Sequence, residues 1–272
     1  MWTMDPLNKF LPPRAAGGAS GTQAVARAAA LLRAIAGSPR REIGLAELAR
    51  ALELERPTAH RILRRLVDEG LVGQNPATRG YLLGPLVYEL GLVAQPPLAL
   101  YGVSSDALAA VAEGSGDTAF AIIGSGLDGV CLDRREGSYP VKAFMLEVGR
   151  RRPMGSGAGS IAMLSAMPPE SADRILDANA VRLRATGEPD AEALKGAVRQ
   201  ARQAGYAVNA PGEAPEIMSI GIAVQNAYGT PIMGISICAL RFRIEKRLDL
   251  LAKLLRASKA EIEARLQSVA TA

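Results

Sequence analysis

The sequence predicts an α+β protein in two parts, a small helical front and a larger rear built around an antiparallel sheet. Three observations carry this reading. Residues 23–81 show three short helical patterns followed by two short strand-like runs. Residues 118–240 show two pairs of strand-like runs with helical patterns between them. Charge is also uneven: the chain of 272 residues has a net charge of +5, and residues 1–95 hold 12 Lys+Arg against 8 Asp+Glu. The remaining 177 residues hold 20 against 19. Every basic residue of the front except Lys9 is arginine, the side chain best suited to phosphate and guanine. A basic front points to an anionic partner, although a solvated helical surface accounts for the same charge.

Composition bounds the rest. At 49% hydrophobic residues a substantial core is expected, and the length allows one large domain or two small ones. Cys131 and Cys238 lie far apart, which is neither a disulfide framework nor a zinc spacing and suits a reducing cytosol. With His60 as the chain's single histidine, no His-rich metal site can form, and no cofactor is called for. The first 20 residues, expected to be a flexible arm, carry Asp5, Lys9 and three prolines instead of the apolar run of a signal peptide. Residues 81–103 are the most apolar stretch, but Glu89, Pro96 and Pro97 make them a poor membrane span. The expectation is a cytoplasmic protein with no membrane partner.

In the front, residues 23–37 place Val25, Ala29, Leu32, Ile35 and Ala36 at helical spacing, ended by Gly37 and Pro39. Residues 45–52 form a second short helix with Leu45, Leu48, Ala49 and Leu52 on one stripe. After a break at residues 53–56 comes a third helix, 57–69, with Pro57 in its first turn and Gly70 after its end. In that helix Ala59, Ile62, Leu63 and Leu66 follow a core-facing pattern. The opposite side presents Thr58, Arg61 and Arg65 in line, flanked by His60 and Arg64, which suits a recognition helix in a DNA major groove. Arg56 stands at the helix entrance. Residues 71–72 and 81–83 then read as two strands of a wing, with Arg79 in the turn placed for phosphate.

The rear begins with an apolar helix from residue 84, expected to end at Pro96–Pro97, and a second helix at 105–113. Strand pairs follow at 118–124 with 129–135, and at 217–225 with 232–240. Helices fill the interval at 159–166, 170–179 and 190–205. A last amphipathic helix, 246–267, carries Leu248, Leu251, Leu255, Ile262 and Leu266 on one stripe, for the sheet or for another subunit.

Two glycine runs bear on chemistry. Residues 124–129 fit G-x-G-x-x-G, but the dinucleotide reading needs a helix directly afterwards, and Val130–Cys131–Leu132 reads as a strand. These glycines are read as hairpin residues. Residues 153–160, PMGSGAGS, precede a helix; such a run either exposes backbone N–H groups to an anion or lets the helix start pack closely. Arg150–Arg152 just upstream add positive charge.

The run GLAELARALELERPTAHRILRRLVDEGLV (44–72), preceded by AVARAAALLRAI (24–35) and followed by GYLLGPLVYELG (80–91), resembles the IclR family of bacterial transcription regulators. The Thr-Ala-His-Arg run is its most specific part. Glu53 and Glu55 depart from the family's usual Gly and its Pro or Ser, and Pro57 replaces a usual Ser or Thr. The resemblance implies a winged helix-turn-helix over 21–83, a linker helix over 84–100 and a GAF-like effector-binding domain over 101–272. It also implies that Gly157, Ala158 and Gly159 border an effector, with Asn209 where an acidic residue is common and Ser219 where Cys or Ser is common. Ser236 and Cys238 fall at two usual serine positions, both on one sheet face. The function implied is a ligand-responsive regulator of double-stranded operator DNA, working as a homodimer or dimer of dimers, with a small organic acid as effector. Two alternatives stand beside it: a metabolite sensor whose DNA head is weakened by Glu53 and Glu55, and a hydrolase using Ser156. The second lacks an imidazole near Ser156 and a G-x-S-x-G elbow.

Overall fold

A four-residue connection between two short helices and a six-stranded sheet position everything that follows. The structure is a computed structural model and describes residues 20–38, 42–93, 95–142, 146–210 and 214–270. The expected N-terminal arm, apart from Ser20, lies outside the described residues. The chain divides into two compact units, Ala15–Leu98 and Ala99–Ala272.

The front unit contains α1 (Ser20–Ala36), α2 (Leu45–Ala51), α3 (Arg56–Asp68), β1 (Val72–Gln74) and β2 (Tyr81–Leu83). Its core joins Leu31, Ile35, Leu48, Leu63, Leu66 and Tyr81. The stripe expected on α1 is rotated: Leu31 and Ile35 are buried with Ala28 beside them, whereas Val25 is 70% exposed. In an alanine-rich helix several stripes look alike, and the large side chains decide which one packs. Between α2 and α3 the chain turns through Glu53, whose φ of 52° lies in the left-handed region. That conformation suits glycine and costs any other residue roughly 1–2 kcal/mol. β1 and β2 pair antiparallel, with Val72 opposite Leu83. The wing turn is tied down by Glu42, which accepts from Thr78 Oγ1 at 2.6 Å and Asn75 Nδ2 at 2.7 Å. These two hydrogen bonds, Thr78 first, hold the Glu42 carboxyl below its ordinary pKa.

Next come α4 (Pro85–Val93) and α5 (Gln95–Ser115). The expectation of one linker helix ending at Pro96–Pro97 is corrected here: those prolines open α5. In the first turn a proline's missing N–H has no intrahelical partner to lose, so the pair starts a helix as readily as it stops one.

The rear unit is built on β3 (Thr118–Ser125), β4 (Asp128–Arg135), β5 (Arg151–Pro153), β6 (Ala207–Asn209), β7 (Ile217–Gln225) and β8 (Pro231–Leu240). They form one sheet in the order β5-β4-β3-β8-β7-β6, with every ladder antiparallel. α5 packs on one face together with α10 (Leu248–Ala270), through Leu108, Val111, Leu251, Leu255 and Ile262. The last helical stripe therefore covers the sheet, and a short α9 (Arg241–Glu245), which the sequence reading did not expect, precedes it. α6 (Ala158–Ser165), α7 (Pro169–Arg184) and α8 (Ala191–Ala204) build a second core that includes Ala207 and Ala223 of the sheet. Asp117, just before β3, is buried and paired with Arg243 at 2.8 Å and with Arg247, tying α9 and the residue before α10 to the end of an interior strand.

Candidate nucleic-acid interface and ligand pocket

α3 is two-sided. Ala59, Leu63 and Leu66 are buried, Ile62 and Thr58 are half-buried, and Arg56, His60, Arg61, Arg64 and Arg65 are exposed. A groove between α1 and α3 is lined by Gln23, Arg27, Thr58, Arg61 and Arg65. Arg65 pairs with Glu69 at 2.5 Å, but both side chains are largely in solvent, so the pair is weak and easily exchanged for another anion. Glu55 is the N-cap residue of α3, where its charge favours the helix dipole. Arg79 is exposed in the wing turn with φ 60°, its N–H donating to Asn75 O at 2.8 Å. The sequence-selected side chains of the front thus share the solvent side of α3, except Arg79 on the wing and Thr58, which is partly covered.

In the rear unit the PMGSGAGS run links β5 to α6. Gly155 and Gly157 have φ of 108° and 79°, and Gly157 is the N-cap residue of α6. Ser160 Oγ accepts from the Gly155 N–H at 3.2 Å and donates to Ser156 O at 2.6 Å, which closes the loop on itself. The Ala158 N–H donates to Ser219 Oγ at 3.2 Å, joining the helix start to β7. Close packing is equally real: a Cβ at Gly221 would lie 2.7 Å from Ala158 C, and one at Gly234 would overlap the Gly159 carbonyl oxygen. The close packing is what brings this loop to a cavity, while the N–H groups of Gly155, Ser156 and Ala158 are already bonded to Ser160 Oγ, the Pro153 carbonyl and Ser219 Oγ.

That cavity, about 50 Å³, is bordered by Gly157, Ala158, Gly159, Asn209, Ser219, Ser236 and Cys238, all seven residues selected from the rear sequence. The register explains why strands distant in sequence converge: Asn209 pairs with Ser219, Ser219 with Cys238, and Ser236 with Phe120. Phe120, Ile122, Leu146 and Ile217 supply apolar walls, and Arg152 also lines the cavity. Cys238 is buried, which pushes its thiol up to about 12 despite the opposing effect of the Arg152 charge. Cys131, in the same small cluster around Phe120, is also pushed up to about 12 by burial.

Sequence reasoning missed the apolar walls and the one carboxylate in the lining, Glu188. It sits between α7 and α8, is 6% exposed, and accepts from Ser156 Oγ at 2.7 Å and Asn209 Nδ2 at 3.3 Å. Its loop has no periodicity that would flag an inward side chain. Ser156 is thus held by a carboxylate, and the chain's only histidine belongs to the front unit. The G-x-G-x-x-G run is a two-residue hairpin, with Ser125 paired to Asp128 and Gly126 at φ 62°. Among the described residues no group of three or more His, Cys, Asp or Glu could hold a metal, and no helix is long and apolar enough to cross a membrane.

Comparison with known proteins decides the family. The profile of the IclR helix-turn-helix domain matches residues 24–76, and that of the bacterial transcriptional regulator IclR C-terminal domain matches residues 98–264. The chain belongs to the IclR family. Like other IclR regulators it is a transcription regulator with a helix-turn-helix DNA-binding domain and a C-terminal effector-binding domain. It is 31% identical over 194 residues to the glycerol operon regulatory protein of Streptomyces griseus, covering 70% of this chain and 74% of that one. An IclR regulator from Alicyclobacillus acidocaldarius shares the fold with a TM-score of 0.73 at 24% identity, over 89% of this chain and 98% of the other. An IclR homolog from Microbacterium hydrocarbonoxydans, crystallised with 4-hydroxybenzoate, shares it with a TM-score of 0.73 at 20% identity, over 90% and 99%.

Proposed function

We propose that this IclR regulator binds a roughly palindromic operator as a homodimer or dimer of dimers, and that a small organic acid in the rear cavity controls that binding. The observation that carries the DNA half is the two-sided α3, with a buried Ala59–Leu63–Leu66 stripe behind an exposed arginine face. Thr58, His60, Arg61 and Arg65 contact base edges in this reading, while Arg56, Arg64 and Arg79 contact phosphate. Two-fold symmetry in the protein would mirror the operator. For the effector half, support comes from Arg152 and the start of α6 bordering a small, largely apolar cavity, which suits a carboxylate on a short carbon chain. An acid shifts DNA affinity only through its differential affinity for the DNA-bound and free arrangements.

Fluorescence anisotropy on DNA flanking the protein's own gene, against a random duplex over a salt series, tests the first half. Specific binding that weakens steeply with salt is expected. Arg61→Ala should lose about 1–3 kcal/mol of discrimination; equal loss on both duplexes would make it a phosphate contact. Glu53→Gly removes a left-handed strain and a negative charge together, so the front should gain about 1 kcal/mol in stability and bind DNA more tightly. A hydrolase reading would return if the protein turned over esters and Ser156→Ala abolished the turnover.

A further inference from the structure

Asn209 brings a neutral amide to the cavity wall, and the cavity also contains a carboxylate. Glu188 supplies it from the loop between α7 and α8, with Oε2 3.3 Å from the Asn209 amide nitrogen. Burying a carboxylate in this way is costly unless hydrogen bonds or an opposite charge compensate it. Two neutral donors, Ser156 Oγ and Asn209 Nδ2, reach it among the described residues. A carboxylate has room for about four, so the group retains acceptor capacity.

The cavity is polar at two places with opposite demands. Asn209, Ser219 and Cys238 are register partners on consecutive strands β6, β7 and β8, which makes a row about 10 Å long across the cavity floor. Glu188 stands at the Asn209 end. Arg152, on β5 at the opposite edge of the sheet from β6, stands at the other. Between them is a space of about 50 Å³, room for a few water-sized groups. A plain fatty acid with its carboxylate toward the Arg152 charge would leave Glu188 facing apolar carbon. A diacid would press a second negative charge against it.

Resting on the reading of this cavity as the effector site, we infer that Glu188 is a specificity determinant selecting a short acid with a hydrogen-bond donor at its far end. Hydroxy- and amino-carboxylic acids of about three carbons have that form, with the carboxylate toward Arg152 and the hydroxyl or ammonium toward Glu188. A site built around a buried acceptor rejects the analogue lacking the donor, because the acceptor is then left unpaired.

Calorimetric titration of the full-length protein with propionate, 3-hydroxypropionate, 3-aminopropionate and malonate tests this. The hydroxy and amino acids should bind at least tenfold more tightly than propionate, and malonate most weakly. Glu188→Gln should erase the advantage of 3-aminopropionate and improve malonate. Equal binding of propionate and its two donor-bearing analogues would overturn the role of Glu188 while leaving an organic-acid pocket intact. Failure of all four acids to bind would overturn the pocket reading itself, and this inference with it. The wild-type ranking of malonate below propionate needs no variant, so misfolding of Glu188→Gln cannot mask the result.

Discussion

One face of the rear sheet carries Ala119, Ala121, Ile220, Ile222, Ile235 and Ile237; the other carries Phe120, Ser219, Gly221, Gly234, Ser236 and Cys238. The same three strands provide both sets, one residue out of step. The first face meets helices α5 and α10 in a continuous apolar core. On the second face, small side chains let α6 approach until only glycine fits, and hydroxyls, an amide and a thiol are left around the cavity. Period-two alternation therefore separates stability from recognition at a spacing of one residue. A substitution on one face should register mainly in unfolding, and its neighbour on the other mainly in ligand binding.

The largest expected effect breaks the apolar face. Ile237 is fully buried, so Ile237→Ala should cost about 2–5 kcal/mol in urea unfolding, with the ranking of acids in the cavity unchanged. One residue type on the recognition face should behave differently. Gly234→Ala puts a methyl into the Gly159 carbonyl, and backbone cannot swing aside as a side chain can. About 1–3 kcal/mol of stability should be lost, and acid binding should weaken with it as α6 shifts. A gain in binding would contradict the role assigned to that close approach. Ser236→Ala is the sharper test, since its hydroxyl borders the cavity and makes no hydrogen bond among the described residues. Stability should change by less than about 1 kcal/mol, while titration should show a several-fold change in acid affinity.

The smallest effect concerns the thiols. Burial raises the Cys131 pKa from the ordinary 9 to about 12. Its contribution to stability is complete below pH 9 and is lost as the pH rises toward 12, because the unfolded thiol ionises first. Cys131→Ala should therefore lose less stability between pH 8 and 10 than the wild type, measured by urea midpoints. At pH 8 neither cysteine of the folded protein should react with a thiol reagent until denaturant is added.

Much of this was legible in the sequence because it is local. The 3.6-residue period and flanking Gly and Pro located α2 and α3, and alternation with turn residues located β3, β4, β7 and β8 to within a residue or so. The three-residue strands β5 and β6 were not legible, being too short to show a period. Neither was the rotation of α1, where alanines blur the stripe, nor the role of Pro96–Pro97, since proline is compatible with both the start and the stop of a helix.

By itself, the sequence determined the two-sided α3, the order of the longer strands and of the helices between them, and which small residues stand on one sheet face, because each follows from the spacing of neighbours along the chain. Tertiary structure alone decided that Asn209, Ser219 and Cys238 form one row and that the Glu188 carboxylate closes its end. Those contacts join residues 10 to 21 positions apart across strand register and a loop. Local pattern has no information about such pairs; only the packing of α6 onto glycines of the sheet, and the burial of the loop beside it, brings them together.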